Sequence, residues 1–230
     1  MEAIVLAGGF GTRLAAVVSD VPKPMAPVAG RPFLEILLAS LSRKGFRRVV
    51  LSLGHMADKI VDHFGDAFAT MQLDYVIENT PLGTGGAIRL ASTRCTASHY
   101  YVFNGDSYLD LEVDKVEAWW QRNGVPIIVA RAVPDTERYG RLRTQGRRVT
   151  GFVPKGEKGP GLINGGCYVF GVDELASQPL AHAFSIESDY FPEQVSARRF
   201  DCFVTDGQFI DIGIPSDYAR AQTELAGLCM

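Results

Sequence analysis

Short apolar runs alternate with amphipathic stretches along the first half of this chain. Ile4-Val5-Leu6-Ala7 is an apolar run that ends in glycine, the pattern of a buried strand feeding a loop. From Pro32 to Lys44 the period changes, with Leu34, Leu37, Leu38 and Leu41 at helical spacing. Pro32 suits a first helical turn, Arg43 and Lys44 suit the end that prefers cations, and Gly45 suits a stop. Arg48 to Leu53 reads as the next strand, Asp58 to Phe64 as a short helix and Leu73 to Ile77 as a third strand. That βαβαβ order predicts a parallel sheet covered by helices on both faces. A helix at Gly86 to Leu90 follows, then a strand at Tyr100 to Phe103 that ends in Asn104-Gly105-Asp106. A helix from Asp114 to Gln121, capped by Asp114, and a strand from Pro126 to Arg131 complete this stretch.

After about residue 132 the texture changes. Glycine, proline and charge interrupt Pro134 to Gly161, with strand-like pieces at Arg147 to Val153 and Ile163 to Phe170. This predicts a sheet extension or a lid over the site rather than a separate domain. Asp173 is expected to cap a helix. Strands near Phe200 to Thr205 and Gln208 to Ile210 precede a closing helix from Pro215 to about Leu225, whose apolar face is Tyr218, Ala221 and Leu225. The expected fold class is α/β, a Rossmann-like, mostly parallel sheet flanked by helices. Residues 1–230 are expected to form a single domain, divided near 131/132.

Composition narrows this picture. Apolar residues make up 47% of the 230 and charged residues 21%, ordinary for a soluble globule. A chain of this length buries roughly 70–75% of its unfolded surface, so it needs no disulfide or structural metal. Lys plus Arg is 23 against 26 for Asp plus Glu, a net charge of −3 that argues against a nucleic-acid partner. No apolar run is long enough to span a membrane, so no membrane partner is expected. The first residues lack a basic segment and a long apolar core, which predicts no signal peptide and a cytoplasmic location. Cys95, Cys167, Cys202 and Cys229 are widely spaced and are expected to be reduced thiols. His55, His63, His99 and His182 show no metal-ligand spacing, and Trp119 and Trp120 read as packing residues. Oligomeric state is open; a homodimer is compatible, because symmetric dimers are common.

Candidate chemistry lies where predicted strands end. Gly8, Gly9 and Gly11 let backbone N–H groups approach an anion, although glycines alone also make plain tight turns. The spacing fits neither a dinucleotide fingerprint nor a P-loop. Arg13 offers planar bidentate donors to phosphate, and Lys23, between Pro22 and Pro24, is a backbone-restricted point charge. Glu78 to Gly86 lies between a predicted strand and a predicted helix, where α/β sheets bind ligands. Thr84 there suits a base edge or a phosphate, and Glu78 suits a base amino or imino group, or is a solvated loop carboxylate. Asp106 and Asp211 follow strands and have apolar neighbours; each reads as a Mg²⁺ ligand or as a cap or ion-pair partner.

These motifs together resemble the sugar-1-phosphate nucleotidyltransferases, also called sugar-nucleotide pyrophosphorylases. The matching pieces are Leu6 to Leu14, Pro22-Lys23-Pro24-Met25, Pro81 to Ala87, Asn104-Gly105-Asp106, Ile163-Asn164-Gly165-Gly166 and Ile210-Asp211-Ile212-Gly213, in the family's order. Within the family, the chain is most similar to the short bacterial D-glycero-α-D-manno-heptose 1-phosphate guanylyltransferases. The resemblance implies GTP and heptose 1-phosphate as substrates, GDP-heptose and pyrophosphate as products, Mg²⁺ as cofactor, and a place in capsule or surface polysaccharide synthesis. It implies that Leu6, Ala7, Gly8, Gly9, Gly11, Thr12 and Arg13 wrap the nucleotide and that Glu78, Gly83 and Thr84 face its base and ribose. Arg13, Lys23 and Asp106 carry catalysis on this reading, and Asp106 and Asp211 hold the metal. Tyr139, Gly140, Lys155 and Asn164 meet the sugar phosphate, which makes residues 132–230 the sugar-binding, sheet-completing part. Pro154-Lys155 departs from the family's usual Glu-Lys, and Glu187 or Asp189 is the expected substitute carboxylate toward the sugar, with Glu187 taken as the site residue. Alternative readings are a uridylyl- or thymidylyltransferase acting on a hexose or N-acetylmuramate 1-phosphate, and an inactive regulatory relative.

Overall fold

The computed structural model describes residues 1–9, 11, 14, 18, 20–176 and 182–229. In chain order the strands are β1 (Glu2–Leu6), β2 (Pro27–Val28), β3 (Arg31–Pro32), β4 (Arg48–Leu53), β5 (Ala67–Phe68), β6 (Met71–Ile77), β7 (His99–Asn104), β8 (Ser107–Leu109), β9 (Ile127–Val133), β10 (Arg141–Gln145), β11 (Arg148–Val153), β12 (Gly161–Gly171), β13 (Asp201–Thr205) and β14 (Phe209–Asp211). The α-helices are α1 (Phe33–Arg43), α2 (Ala57–Phe64), α3 (Gly83–Ser92), α4 (Val113–Asn123), α5 (Phe191–Ala197) and α6 (Pro215–Glu224).

Ten strands form one sheet in the order β10-β11-β13-β9-β12-β7-β1-β4-β6-β5. The expected parallel core is present, since β7, β1, β4 and β6 all run the same way. β12 enters antiparallel between β7 and β9, which makes the sheet mixed. The β10–β11 hairpin continues the same sheet past β13, so the stretch after residue 132 is a sheet extension and not a lid.

Period-two alternation sorts the strand side chains onto two faces. On β1, Ala3 and Val5 join one core layer and Ile4 the other; on β7, Tyr101 and Phe103 oppose Tyr100 and Val102; on β12, Cys167 and Val169 oppose Tyr168 and Phe170. The first layer takes α1, α2 and α4, and the second takes α3 and α5. Leu34, Leu37, Leu38 and Leu41 of α1 all lie in the first layer, as their spacing predicts. Gly45 ends that helix with a φ of +84°, a conformation open to glycine at little cost. Tyr218, Ala221 and Leu225 pack in a smaller cluster with Ile210 and Ile212.

Several expectations need correction. Val113–Asn123 begins earlier than predicted, so Glu112 takes the cap position and Asp114 sits in the first turn, where its charge still favours the helix dipole. Asp173 lies in a turn rather than at the start of a helix. The hydrophobic pattern also missed β8, β10 and α5, all too short to show a period. Trp119 and Trp120 are packing residues as expected. Trp119 donates from Nε1 to the buried Asp201 carboxylate at 2.8 Å, and Trp120 stacks on His99 at 5.0 Å. Among the described residues no helix is long and apolar enough to cross a membrane. Cys95, Cys167 and Cys202 are buried free thiols.

Candidate active site

The C-terminal ends of β1, β4, β6 and β7 open onto a cavity of about 500 Å³. Leu6 to Gly9 form one wall after β1, Ser52 and Gly54 lie at β4, Glu78 and Asn79 follow β6, and Asn104 and Asp106 follow β7. Glycine makes these strand ends fit together. A Cβ on Gly54 would lie 2.7 Å from the Gly8 carbonyl oxygen, and one on Gly105 would lie 2.5 Å from that of Leu6. The Gly105 N–H instead donates to the Leu6 carbonyl at 2.9 Å. These strand ends therefore pack backbone against backbone, closer than any side chain would allow.

Lys23 opens a single turn of 3₁₀ helix, Lys23–Met25, with Pro22 at its cap and Pro24 inside it. The two prolines fix φ on either side, and the Ala26 N–H closes the turn on the Lys23 carbonyl at 3.0 Å. Gly11, at φ +61°, packs on the lysine stem so closely that a Cβ would meet the Lys23 Cβ at 2.8 Å. The Lys23 ammonium, one-tenth exposed, forms an ion pair with the Asp106 carboxylate. β14 pairs with β8 so that Asp211 stands opposite Ser107, and the Ile212 N–H donates to the Asp106 carbonyl at 2.9 Å. The Gly213 N–H holds Asp211 Oδ1 at 2.6 Å. A Cβ on Gly213 would be 2.7 Å from that oxygen and 3.3 Å from Lys23 Nζ, so ammonium and both carboxylates gather at one corner of the site.

The opposite wall is the start of α3. Gly83, at φ +69°, lets the chain pass the Phe184 carbonyl, which accepts the N–H groups of Gly85 at 3.0 Å and Gly86 at 3.3 Å. That carbonyl satisfies donors a helix N-terminus otherwise leaves bare. Glu78 braces the loop before α3, because its carboxylate accepts the Leu82 N–H at 2.9 Å and the Ser52 hydroxyl at 3.3 Å. Two hydrogen bonds leave a carboxylate with further acceptor capacity. Thr84 lines the cavity, but its hydroxyl proton goes to Glu187 at 2.6 Å while its oxygen accepts the Ile186 N–H at 2.9 Å.

Beyond this cavity, Glu187 also accepts the hydroxyls of Ser185 at 3.1 Å and Tyr168 at 3.4 Å, and Asn164 donates to Tyr168 at 2.8 Å. Tyr139 lies against Phe209 and beside Arg138. Burial raises the Tyr139 pKa and the Asp217 and Asp211 carboxylates add to it, against the pull of Arg138. Gly140, at φ +77°, brings that turn against the Val153 carbonyl and the Lys155 N–H, and Lys155 itself is exposed.

Comparison with known proteins shows what kind of chain this is. The pattern of the nucleotidyl transferase family matches residues 2–227. The chain belongs to that family. This nucleotidyl transferase is 38% identical over 98% of both chains to a D-glycero-α-D-manno-heptose 1-phosphate guanylyltransferase of Aneurinibacillus thermoaerophilus. It is 36% identical to one of the same name from Campylobacter jejuni, over 95% of this chain and 97% of the other. The crystal structure of HddC from Yersinia pseudotuberculosis superposes with a TM-score of 0.88 at 39% identity, covering 97% of this chain and 99% of HddC. HddC complexed with GMP-PN matches equally well.

Of the residues singled out from sequence, Leu6, Ala7, Gly8, Gly9, Lys23, Glu78, Gly83, Thr84 and Asp106 line one cavity. Gly11 and Asp211 adjoin it through Lys23 and Gly213. Glu187 adjoins it through the hydrogen bond to Thr84, Asn164 connects to it through Tyr168 and Glu187 and through Gly166 packed on Asn104, and Tyr139, Gly140 and Lys155 do not line it. Thr12 and Arg13 lie outside the described residues. Sequence reasoning missed Ser52, Gly54 and His55 as cavity residues. Their signal was available, since a glycine follows β4 as one follows β1, and a parallel sheet gathers both ends in one crevice.

Proposed function

We propose that this chain transfers GMP from GTP to D-glycero-α-D-manno-heptose 1-phosphate, giving GDP-heptose and pyrophosphate. End-to-end similarity to two guanylyltransferases of that name carries the reading. The cavity supports it, with a glycine-built wall facing a lysine and two aspartates. An oxygen of the sugar phosphate attacks the α-phosphorus of GTP in line. The new P–O bond forms as the bond to the β-phosphate oxygen breaks, and pyrophosphate leaves with that electron pair. The nucleophile is already anionic, so alignment and charge neutralisation do the work.

In this reading Leu6 to Gly11, Thr12 and Arg13 wrap the triphosphate, and Lys23 offsets charge at the reacting phosphate. Glu78 and Gly83 face guanine and its ribose. Tyr139, Gly140, Lys155 and Asn164 serve the sugar phosphate. Asp106 and Asp211 fit Mg²⁺, because hard oxygen donors are gathered where Lys23 already sets a cation against Asp106. Among the described residues no third metal-ligating side chain joins them, the sparse protein donor set that Mg²⁺ takes when substrate phosphates supply the rest. When bound, the ion would neutralise phosphate charge. We place the enzyme in the cytoplasm, feeding surface polysaccharide synthesis.

The test is pyrophosphate release with Mg²⁺, offering GTP, ATP, UTP, CTP and dTTP in turn with heptose 1-phosphate and with mannose 1-phosphate. Release with GTP and the heptose phosphate is expected; release confined to another nucleotide or sugar overturns the assignment.

A further inference from the structure

Glu187 stands between the nucleotide side and the sugar side, and its carboxylate is bonded to protein hydroxyls from both. One oxygen accepts Thr84 at 2.6 Å and Ser185 at 3.1 Å, and the other accepts Tyr168 at 3.4 Å. Thr84 belongs to the first turn of α3 and lines the cavity. Tyr168 and Asn164 belong to β12 in the other half of the chain.

Each link has a fixed direction. The single hydroxyl proton of Thr84 is given to Glu187, and its lone pair takes the Ile186 N–H at 2.9 Å, so it cannot rotate without breaking both bonds. Tyr168 is fully buried, and burial holds its hydroxyl protonated, so it donates to Glu187 and accepts from Asn164. The Asn164 amide is held at both ends, because its oxygen accepts the Gly166 N–H at 3.0 Å across the irregular step in the β12–β9 pairing. Glu187 itself sits in a π-helical turn, Ile186–Tyr190. A ligand that shifts Thr84 at the cavity wall must either strip a 2.6 Å hydrogen bond to a carboxylate or carry Glu187 with it.

We infer that Glu187 is a positioning residue that couples the two substrates' sites, through the chain Thr84–Glu187–Tyr168–Asn164. The inference rests on the two-substrate reaction proposed above. Coupling between sites is the factor by which one ligand changes affinity for the other. Initial rates over a grid of both concentrations yield it, using whichever nucleotide and sugar phosphate the wild-type chain turns over fastest. The expected wild-type factor departs from one by about fivefold or more. Glu187→Gln removes one acceptor oxygen, and Tyr168→Phe removes the next hydroxyl; each brings the factor to about one. A merely structural role would weaken both affinities and leave the factor at its wild-type value. Thr84→Val breaks the same chain from the other end and replaces either variant if it fails to fold. A factor of one in the wild type, or a wild-type factor in these variants, overturns the inference while the reaction stands. No turnover with any pair refutes the reaction, and the inference with it.

Discussion

The two sides of the site are built from different materials. On the side proposed for the nucleotide, strand ends press backbone on backbone at Gly8, Gly54 and Gly105, where a Cβ would run into the neighbouring strand end. On the side proposed for the sugar phosphate, Asn164, Tyr168, Ser185 and Glu187 meet through side-chain hydrogen bonds, and an exposed lysine stands further out at Lys155. A wall of backbone packed on backbone tolerates no added atom at those glycines. A wall built of side chains can change its shape by exchanging residues without moving the backbone.

Lys23→Ala breaks the comparison hardest. It removes the ammonium beside Asp106 and is expected to lower kcat by about 10²–10³ with the fold intact. Asp106→Ala is expected to abolish the response of pyrophosphate release to added Mg²⁺. Normal turnover in the lysine variant would strip the nucleotide side of its charge chemistry.

Paired glycine substitutions sharpen the contrast next. In Gly105→Ala the new methyl would sit 2.5 Å from the Leu6 carbonyl oxygen, and neither backbone can retreat without opening the sheet end. A loss of about 1–3 kcal/mol is expected in denaturant unfolding, with a raised nucleotide KM. On the sugar side a Cβ on Gly151 of β11 meets nothing within 4 Å, so Gly151→Ala should stay within about 0.5 kcal/mol of the wild type. Equal costs at the two positions would show that the backbone contact at Gly105 is not the tight one its geometry implies.

The same distinction governs what the sequence could reveal. Leu34 to Leu41 announced α1, and glycine after an apolar run announced the nucleotide wall, because both signals are local. The pairing of β14 with β8 that sets Asp211 beside Asp106 has no local trace, and neither strand exceeds three residues. Strand-end position and apolar neighbours, not periodicity, single out both aspartates as candidate metal ligands, and the family resemblance points to the same pair, but neither signal says how they meet. The hydroxyl partners of Glu187 come from positions 84, 168 and 185, a convergence that no window of sequence contains.

A smaller effect is expected at the outer edge of the sugar side. Lys155 is exposed beside the Gly140 turn, and an exposed point charge adds modest affinity in water. Lys155→Ala should raise KM for the sugar phosphate by about two- to fivefold and leave kcat and the nucleotide KM nearly unchanged, the pattern of lost uniform binding. A fall in kcat instead would move Lys155 into the reacting centre.

The smallest predicted effect asks whether the two halves, however differently built at the site, share one core. Burial pushes the Cys95 thiol from its ordinary 9.0 up to about 12 and the Cys202 thiol up to about 11. It pushes Cys167, between them on β12, well above the usual range. A raised folded-state pKa means that the folded chain holds protons the unfolded chain releases. The stabilisation is therefore complete below about pH 9 and is lost as pH rises toward 11 to 12, so the melting temperature should fall between pH 9 and 10.5. At pH 8 a thiol reagent should label Cys95, Cys167 and Cys202 together, at the rate at which the whole chain opens. Cys95 packs against the α3 layer and Cys202 lies on β13 in the other half. Faster labelling of Cys202 alone would show that the half with the side-chain-built wall opens independently. Joint labelling would mean that the two walls differ only where they meet substrate.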